Sequence, residues 1–304
     1  MITCSFTVDI DNDSATISNE RNELTWAAVE EVPRIAAAFR RCGVGATWFV
    51  RADNQLDAVY GHPDWLLQRN RPTWDTLRAE GHGIGWHPHI VREDNGSFIA
   101  ETDDTRCAAA LRRVFESLSD HHWRFTAVRI GEAFHGNQSM NALDALGLQV
   151  DSTALPGRLR ADEARRFDWT TTPNRPYRPS VSDYRIPGNE PLSIVEVPMT
   201  TMPVKAPYDP GPLLRYLNLA YRHSIFRDAL GRHFETLDHT DHTVVTILHP
   251  DEVRAQPDHP LYAFDVATVE RNLDYLLGAA GAHGGVRVAS LETIAAEAAS
   301  GEAS

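Results

Sequence analysis

Three histidines fall within eight residues of a glycine-rich string, Gly81-His82-Gly83-Ile84-Gly85-Trp86-His87-Pro88-His89, and two aspartates stand close together in Asp9-Ile10-Asp11. Neutral imidazole and carboxylate suit a borderline divalent cation such as zinc, and a catalytic zinc typically takes three protein ligands and keeps a further position open. One aspartate and two of these histidines would make such a set. Residues 3–11 are an apolar, β-branched run that reads as a strand. Positions i and i+2 of a strand share a face, so Asp9 and Asp11 can emerge together where it ends. One could hold the metal while the other acts as a base. Read alone, Asp11-Asn12-Asp13-Ser14 is a turn, for which these residue types are common.

The histidines need elements to position them. Residues 73–81 read as a helix with Gly81 as its stop, and residues 84–86 as a short apolar strand, with His87 at its C-terminal end. Barrels and open α/β sheets build their sites at that end. Glycines 81, 83 and 85 sit where the backbone could approach another group closely.

Four strings, Thr7-Val8-Asp9-Ile10-Asp11, Ala46-Thr47-Trp48-Phe49-Val50, Gly81 to His87 and Leu248-His249-Pro250, each end an expected strand. In order and spacing they resemble the polysaccharide deacetylase family, also called the NodB-homology family or carbohydrate esterase family four. The resemblance implies a deformed (β/α) barrel that removes N-acetyl or, less often, O-acetyl groups from sugars through one divalent metal: zinc, with cobalt or nickel as alternatives. By position it makes Asp9 the base, Asp11 the metal carboxylate and His87 the first metal histidine. Many members place the second histidine four residues later, where this chain has Val91. His89 is then the replacement ligand, with His82 as fallback or as a support for the loop. Residues 127–131 resemble the family's arginine motif, so Arg129 would pair with Asp9, and a guanidinium beside a carboxylate favours its ionised form. Phe167-Asp168-Trp169 resembles a segment whose acid, Asp168, tunes the catalytic histidine and whose indole, Trp169, lines the pocket. His249 would donate a proton to the leaving nitrogen, a role that suits a group with an ordinary pKa of about 6.5. Asp251 and Glu252 read as a turn or helix start, from which one could orient His249.

Alternation of elements runs through the chain. Strands are expected at 46–50, 84–87, 127–130, 149–152, 193–198 and 243–249, and a helix beginning near Pro33 stops at Arg40-Arg41-Cys42-Gly43. Further helices are expected within 65–80, at 103–119, 141–146 and 266–277, and over most of 213–237, with 286–289 and 290–299 closing the domain. Strand-helix alternation over 304 residues fits a single parallel-stranded barrel spanning 1–304. Residues 155–191 break the rhythm with prolines, arginines and aromatics. Ordered loops of such length are usually functional, so this insertion reads either as a cover over a sugar site, with Trp169 and Tyr177 as stacking platforms, or as packing on the barrel face. The Ala/Glu/Ser tail after residue 297 reads as disordered.

Net charge is -13, from 42 acidic and 29 basic residues, so the molecular field opposes nucleic acid and anionic membranes. An acetylated amino sugar or glycan precursor is the easier partner. The arginine-rich stretches 158–166 and 175–185 read as solvated loops, with a phosphate on the substrate as the alternative. Cys4, Cys42 and Cys107 are odd in number and widely spaced, which argues against a disulfide framework. No basic-then-apolar leader opens the chain and no run of 18 apolar residues occurs, so a cytoplasmic location is expected. Two other functions remain open: an allantoinase-like or deformylase-like C–N hydrolase of a small molecule, and a non-catalytic carbohydrate-binding relative, which Val91 at the usual ligand position would suit.

Overall fold

The computed structural model describes residues 1–13, 24–162, 166–238, 240–256 and 258–301. In chain order its strands are β1 (Ile2–Ile10), β2 (Thr47–Arg51), β3 (Gly83–His87), β4 (Val91–Asp94), β5 (Ser97–Ala100), β6 (Ala127–Val128) and β7 (Val150–Asp151). There follow β8 (Leu159–Ala161), β9 (Arg166–Asp168), β10 (Val195–Glu196), β11 (Thr201–Val204), β12 (Leu213–Tyr216), β13 (His242–Thr246) and β14 (Val286–Val288). The helices are α1 (Val32–Arg41), α2 (Asn54–Tyr60), α3 (Trp65–Arg69), α4 (Arg71–Ala79), α5 (Asp104–Asp120), α6 (Asn137–Ala145), α7 (His223–Glu235), α8 (Val266–Gly284) and α9 (Leu291–Ser300).

The main sheet runs β10-β7-β6-β3-β2-β1-β13, with β14 beside the first half of β1, and every pairing in it is parallel. All nine residues of β1 are buried, as expected of a parallel strand covered on both faces. Beyond β10, Thr200 donates its N–H to the Val245 carbonyl at 3.1 Å and accepts the Val245 N–H on its hydroxyl at 2.9 Å. The segment after β10 thus laps onto β13, and the sheet curls into the expected deformed (β/α) barrel flanked by helices.

Parallel pairing puts the C-terminal ends of these strands at one rim. Asp11, Arg51, His87, Arg129 and His249 all lie at or just beyond such an end. The delivery of β3 is local chemistry: Gly81 takes φ +87° after α4, and the His82 N–H closes back on the Leu77 carbonyl at 3.0 Å. This is a left-handed helix stop of the kind glycine permits.

Several expectations are corrected. Residues 213–216 are not helical but form β12, antiparallel to β11. Leu217 and Leu219 then exchange backbone hydrogen bonds with Thr200 and Ile247, so the barrel wall claims these peptide groups and the helix starts only at His223. The C-terminal tail is helical through Ser300, capped by Ser290 and anchored by buried Leu291, Ile294 and Ala295; residues 302–304 lie outside the described residues. The β4–β5 hairpin and α2 have no counterpart in the sequence reading. Cys4, Cys42 and Cys107 are free. No described helix is long and apolar enough to cross a membrane.

Candidate metal centre

Asp11, one residue past β1, meets His87, the last residue of β3, and His89, two residues beyond. Their ligand atoms lie within 4.8 Å of one another, and this is the single such group of three among the described residues. Asp11 Oδ1 is 2.9 Å from His89 Nε2 and 3.3 Å from His87 Nε2, and the two nitrogens are 3.2 Å apart. His87 Nδ1 lies 2.6 Å from the Arg129 carbonyl. A carbonyl can only accept, so Nδ1 carries the hydrogen and the Nε2 lone pair faces Asp11. Asp11 Oδ1 is buried without a hydrogen-bond partner. Such a convergence of lone pairs calls for a positive charge between them. Burial pushes the Asp11 carboxyl up, but the imidazoles of His89 and His87 outweigh it and hold the carboxyl well below its usual range. Burial likewise pulls His87 down, and Asp11 and Asp9 more than reverse it. One carboxylate oxygen and two imidazole nitrogens, with Oδ1 otherwise orphaned, fit a borderline divalent cation.

His89 reaches the cluster because its surroundings are cut to its ring. A Cβ on Gly131 would lie 2.2 Å from His89 Cδ2. Gly131 opens a tight turn in which Glu132 and Ala133 both take left-handed backbone, φ +60° and +55°. The His89 N–H donates to Asp53 Oδ2 at 3.2 Å. Val91 heads β4, with its N–H and carbonyl both bound by the Asn54 side chain.

Beside the trio, Arg129 donates from Nη1 to Asp9 Oδ1 and to Thr7 Oγ1, each at 2.7 Å, and from Nε to the Ser152 carbonyl at 2.7 Å. Its guanidinium lies over the Phe49 ring, 4.5 Å from the centroid. Asp9 is therefore fixed by a buried, fully engaged cation. His249 brings Nε2 to 3.8 Å from Asp11 Oδ2. Its Nδ1 is 3.3 Å from Glu252 Oε1, and its N–H donates to Glu252 Oε2 at 2.8 Å. Asn218 holds Glu252 in turn, through Nδ2 to Oε1 at 2.7 Å. Burial pulls the His249 pKa down, but Glu252 outweighs it and raises it well above its ordinary value.

The acid that orients His249 is thus Glu252, and Asp168 is elsewhere. Asp168 accepts from Arg185 at 2.6 Å and from Thr170, on a cavity of about 460 Å³ that contains none of the metal trio. Trp169 is fully buried, donates its Nε1–H to the Ala133 carbonyl and packs edge-on against His135 and Tyr184. Tyr177 is 5% exposed and spends its hydroxyl on the Tyr184 carbonyl. Neither ring has a free face for a sugar, so the insertion contributes them to packing on the barrel. His82 accepts the Ala46 N–H on Nδ1 and sits edge-on to Trp48, at the far end of β3 from His87; it is a scaffold residue.

The sequence reading missed a frame behind the trio. Arg51, 1% exposed, donates to Asp53 Oδ2, Asn12 Oδ1 and Gln55 Oε1. Asp53 also caps α2 through the N–H groups of Gln55 and Leu56. Asp53 escaped notice because α2 was not expected, and its second bond, to His89, depends on a residue 36 positions away.

No protein-family model and no curated protein matches the chain. Among solved structures its fold is similar to that of a putative polysaccharide deacetylase from Mycobacterium smegmatis, with a TM-score of 0.58 and 17% identity over 100% of this chain and 92% of that one. It is also similar to that of Puue allantoinase, with a TM-score of 0.57 and 14% identity over 97% of this chain and 89% of that one. At these identities the likeness concerns the fold.

Proposed function

We propose that this chain is a metal-dependent hydrolase of the polysaccharide deacetylase kind, removing an N-acetyl group, or less often an O-acetyl group, from an amino sugar. The observation that carries the reading is the convergence of Asp11, His87 and His89 at one rim, flanked by Asp9 on Arg129 and by His249 on Glu252. Asp11, His87 and His89 would hold a divalent cation, which would supply Lewis acidity toward an acyl oxygen and a water. Asp9, fixed by Arg129, takes the proton of the water whose oxygen bonds to the acyl carbon. His249, kept protonated by Glu252, gives its proton to the nitrogen as the C–N bond breaks, leaving acetate and a free amine. The Arg129 carbonyl holds the His87 ring in the tautomer that presents Nε2, so Arg129 serves both base and ligand.

A second reading is ring opening of a cyclic ureide, supported by the similar fold of an allantoinase and by the same need for a base, a metal and a proton donor at a C–N bond. One panel decides. Zinc-, cobalt- and nickel-loaded protein is offered acetylated amino sugars, nucleotide sugars, short chito-oligosaccharides and allantoin. Metal-dependent acetate release, abolished in Asp9→Asn and His249→Ala, is the expected result. Ureide opening without acetate release would establish the second reading, and full metal occupancy with neither activity would leave a binding protein.

A further inference from the structure

The arginine-rich stretch 158–166 divides in the structure. Arg160 is neutralised by Asp162, and nearby Arg215 by Asp209. Arg158 has no carboxylate partner and no side-chain hydrogen bond among the described residues, although it is mostly shielded from solvent. Its guanidinium lies 5.6 Å from the Phe167 ring centroid and 5.8 Å from that of Tyr216. Stacking on aromatic rings holds a guanidinium by its face and leaves its N–H edge for a planar or tetrahedral oxyanion. Burial presses against the charge and lowers the Arg158 pKa, a strain that an anion would relieve.

The loop that carries Arg158 follows β7 at the rim where the trio lies. Pro156 accepts from Thr201 on β11, and a Cβ on Gly157 would lie 2.9 Å from Leu214 on β12, so the loop rests on that hairpin. Tyr216, under the guanidinium, adjoins Leu217, whose carbonyl accepts the N–H of Ile247, two residues before His249. Two residues on from Tyr216, Asn218 holds Glu252. We propose that Arg158 binds a carboxylate or phosphate carried by the substrate, so that the enzyme selects acidic over neutral acylated amines. This rests on the hydrolase reading above. With a net charge of -13 the molecule as a whole repels anions, so one half-buried cation lying over two aromatic rings near that rim decides which are admitted.

The test is calorimetric binding of N-acetylmuramic acid, N-acetylglucosamine 6-phosphate and neutral N-acetylglucosamine to wild type, Arg158→Gln and Arg158→Lys, each chelator-treated and zinc-loaded. The wild type is expected to prefer at least one acidic sugar by about tenfold or more, the scale of a charge-assisted contact. The sugar preferred tells carboxylate from phosphate. That preference should collapse in Arg158→Gln and drop several-fold in Arg158→Lys, which keeps the charge but loses the fork. No preference in wild type, an undiminished preference in Arg158→Lys, or a preference seen only with zinc bound overturns the assignment; the lysine variant decides should the glutamine variant not melt cooperatively. Zinc-loaded wild type that prefers acidic sugars yet hydrolyses none overturns the hydrolase reading and leaves Arg158 as an anion site. Hydrolysis without preference does the reverse.

Discussion

Asp11 Oδ1 faces two imidazole nitrogens and accepts no hydrogen bond, whereas every polar atom of Arg129 beside it is engaged or stacked. The contrast separates an atom left for a ligand from a group built to hold its neighbours still. Glu252 belongs to the second kind, and it sets the pH behaviour of His249. With His249 as the proposed proton donor, the raised pKa would keep it protonated to higher pH, and activity should be lost as pH rises through it. In Glu252→Gln the amide no longer offsets burial, so the alkaline limb of kcat against pH should move to lower pH, with kcat above neutrality falling about tenfold or more. Asp168→Asn should leave that limb in place, because Asp168 is paired with Arg185. An unshifted limb in Glu252→Gln would contradict the assignment. The sequence showed Asp9, Asp11, His87, Arg129 and His249 because each ends a strand, where spacing is readable. It offered Asp251 and Glu252 alike as partners of His249 and could not choose between them, because the choice depends on a turn that Asn218, 34 residues from Glu252, completes.

At the scale of elements, short turns do the positioning. The Gly131–Ala133 turn walls His89 and also offers the Ala133 carbonyl to Trp169, so insertion and metal centre share one support. Gly131→Ala should displace the His89 ring and weaken zinc binding by about 10- to 100-fold, the usual effect of disturbing a ligand's support. Competition with a chromophoric chelator reads this directly, and wild-type affinity would contradict it. Asp64, before α3, is fully buried and receives Gln68 Nε2, Trp123 Nε1 and the imidazoles of His62 and His121. Burial pushes its carboxyl up, and these donors outweigh it and hold it below the usual range. Asp64→Ala, which strands them, should destabilise the chain by about 3 kcal/mol in urea unfolding without changing m. The elements were legible where periodicity was long, as in α5 and α8. They were not legible where pairing with a neighbouring strand overrode local pattern, as at Leu213–Tyr216 against β11.

For the whole molecule, the parallel barrel explains why residues as far apart as Asp9 and His249 share a rim, and fold class was legible because strand-helix alternation leaves few other closures. The insertion was harder to read: Trp169 and Tyr177 could equally stack on a sugar or fill a core, and only the course of the chain decides. Global stability should carry a mark of one half-buried histidine. Burial pulls His233 on α7 down to about 4, against about 6.5 in an unfolded chain. Between these values the unfolded state binds the extra proton. The contribution is therefore fully present above pH of about 6.5 and is lost as pH falls through about 4. Denaturant unfolding at neutral pH and at mildly acid pH should show a smaller difference in His233→Gln than in wild type. An equal difference would contradict the burial of a neutral imidazole.

Asp11, His87 and His89 are proposed to form one metal site, in which a histidine two residues after the first does the work of one four residues after it. Zinc stoichiometry and affinity of the purified chain test it most directly. One zinc per chain is expected, with affinity reduced at least about 100-fold in both Asp11→Ala and His89→Ala and unchanged in His82→Ala. Wild-type zinc affinity in His89→Ala would contradict it.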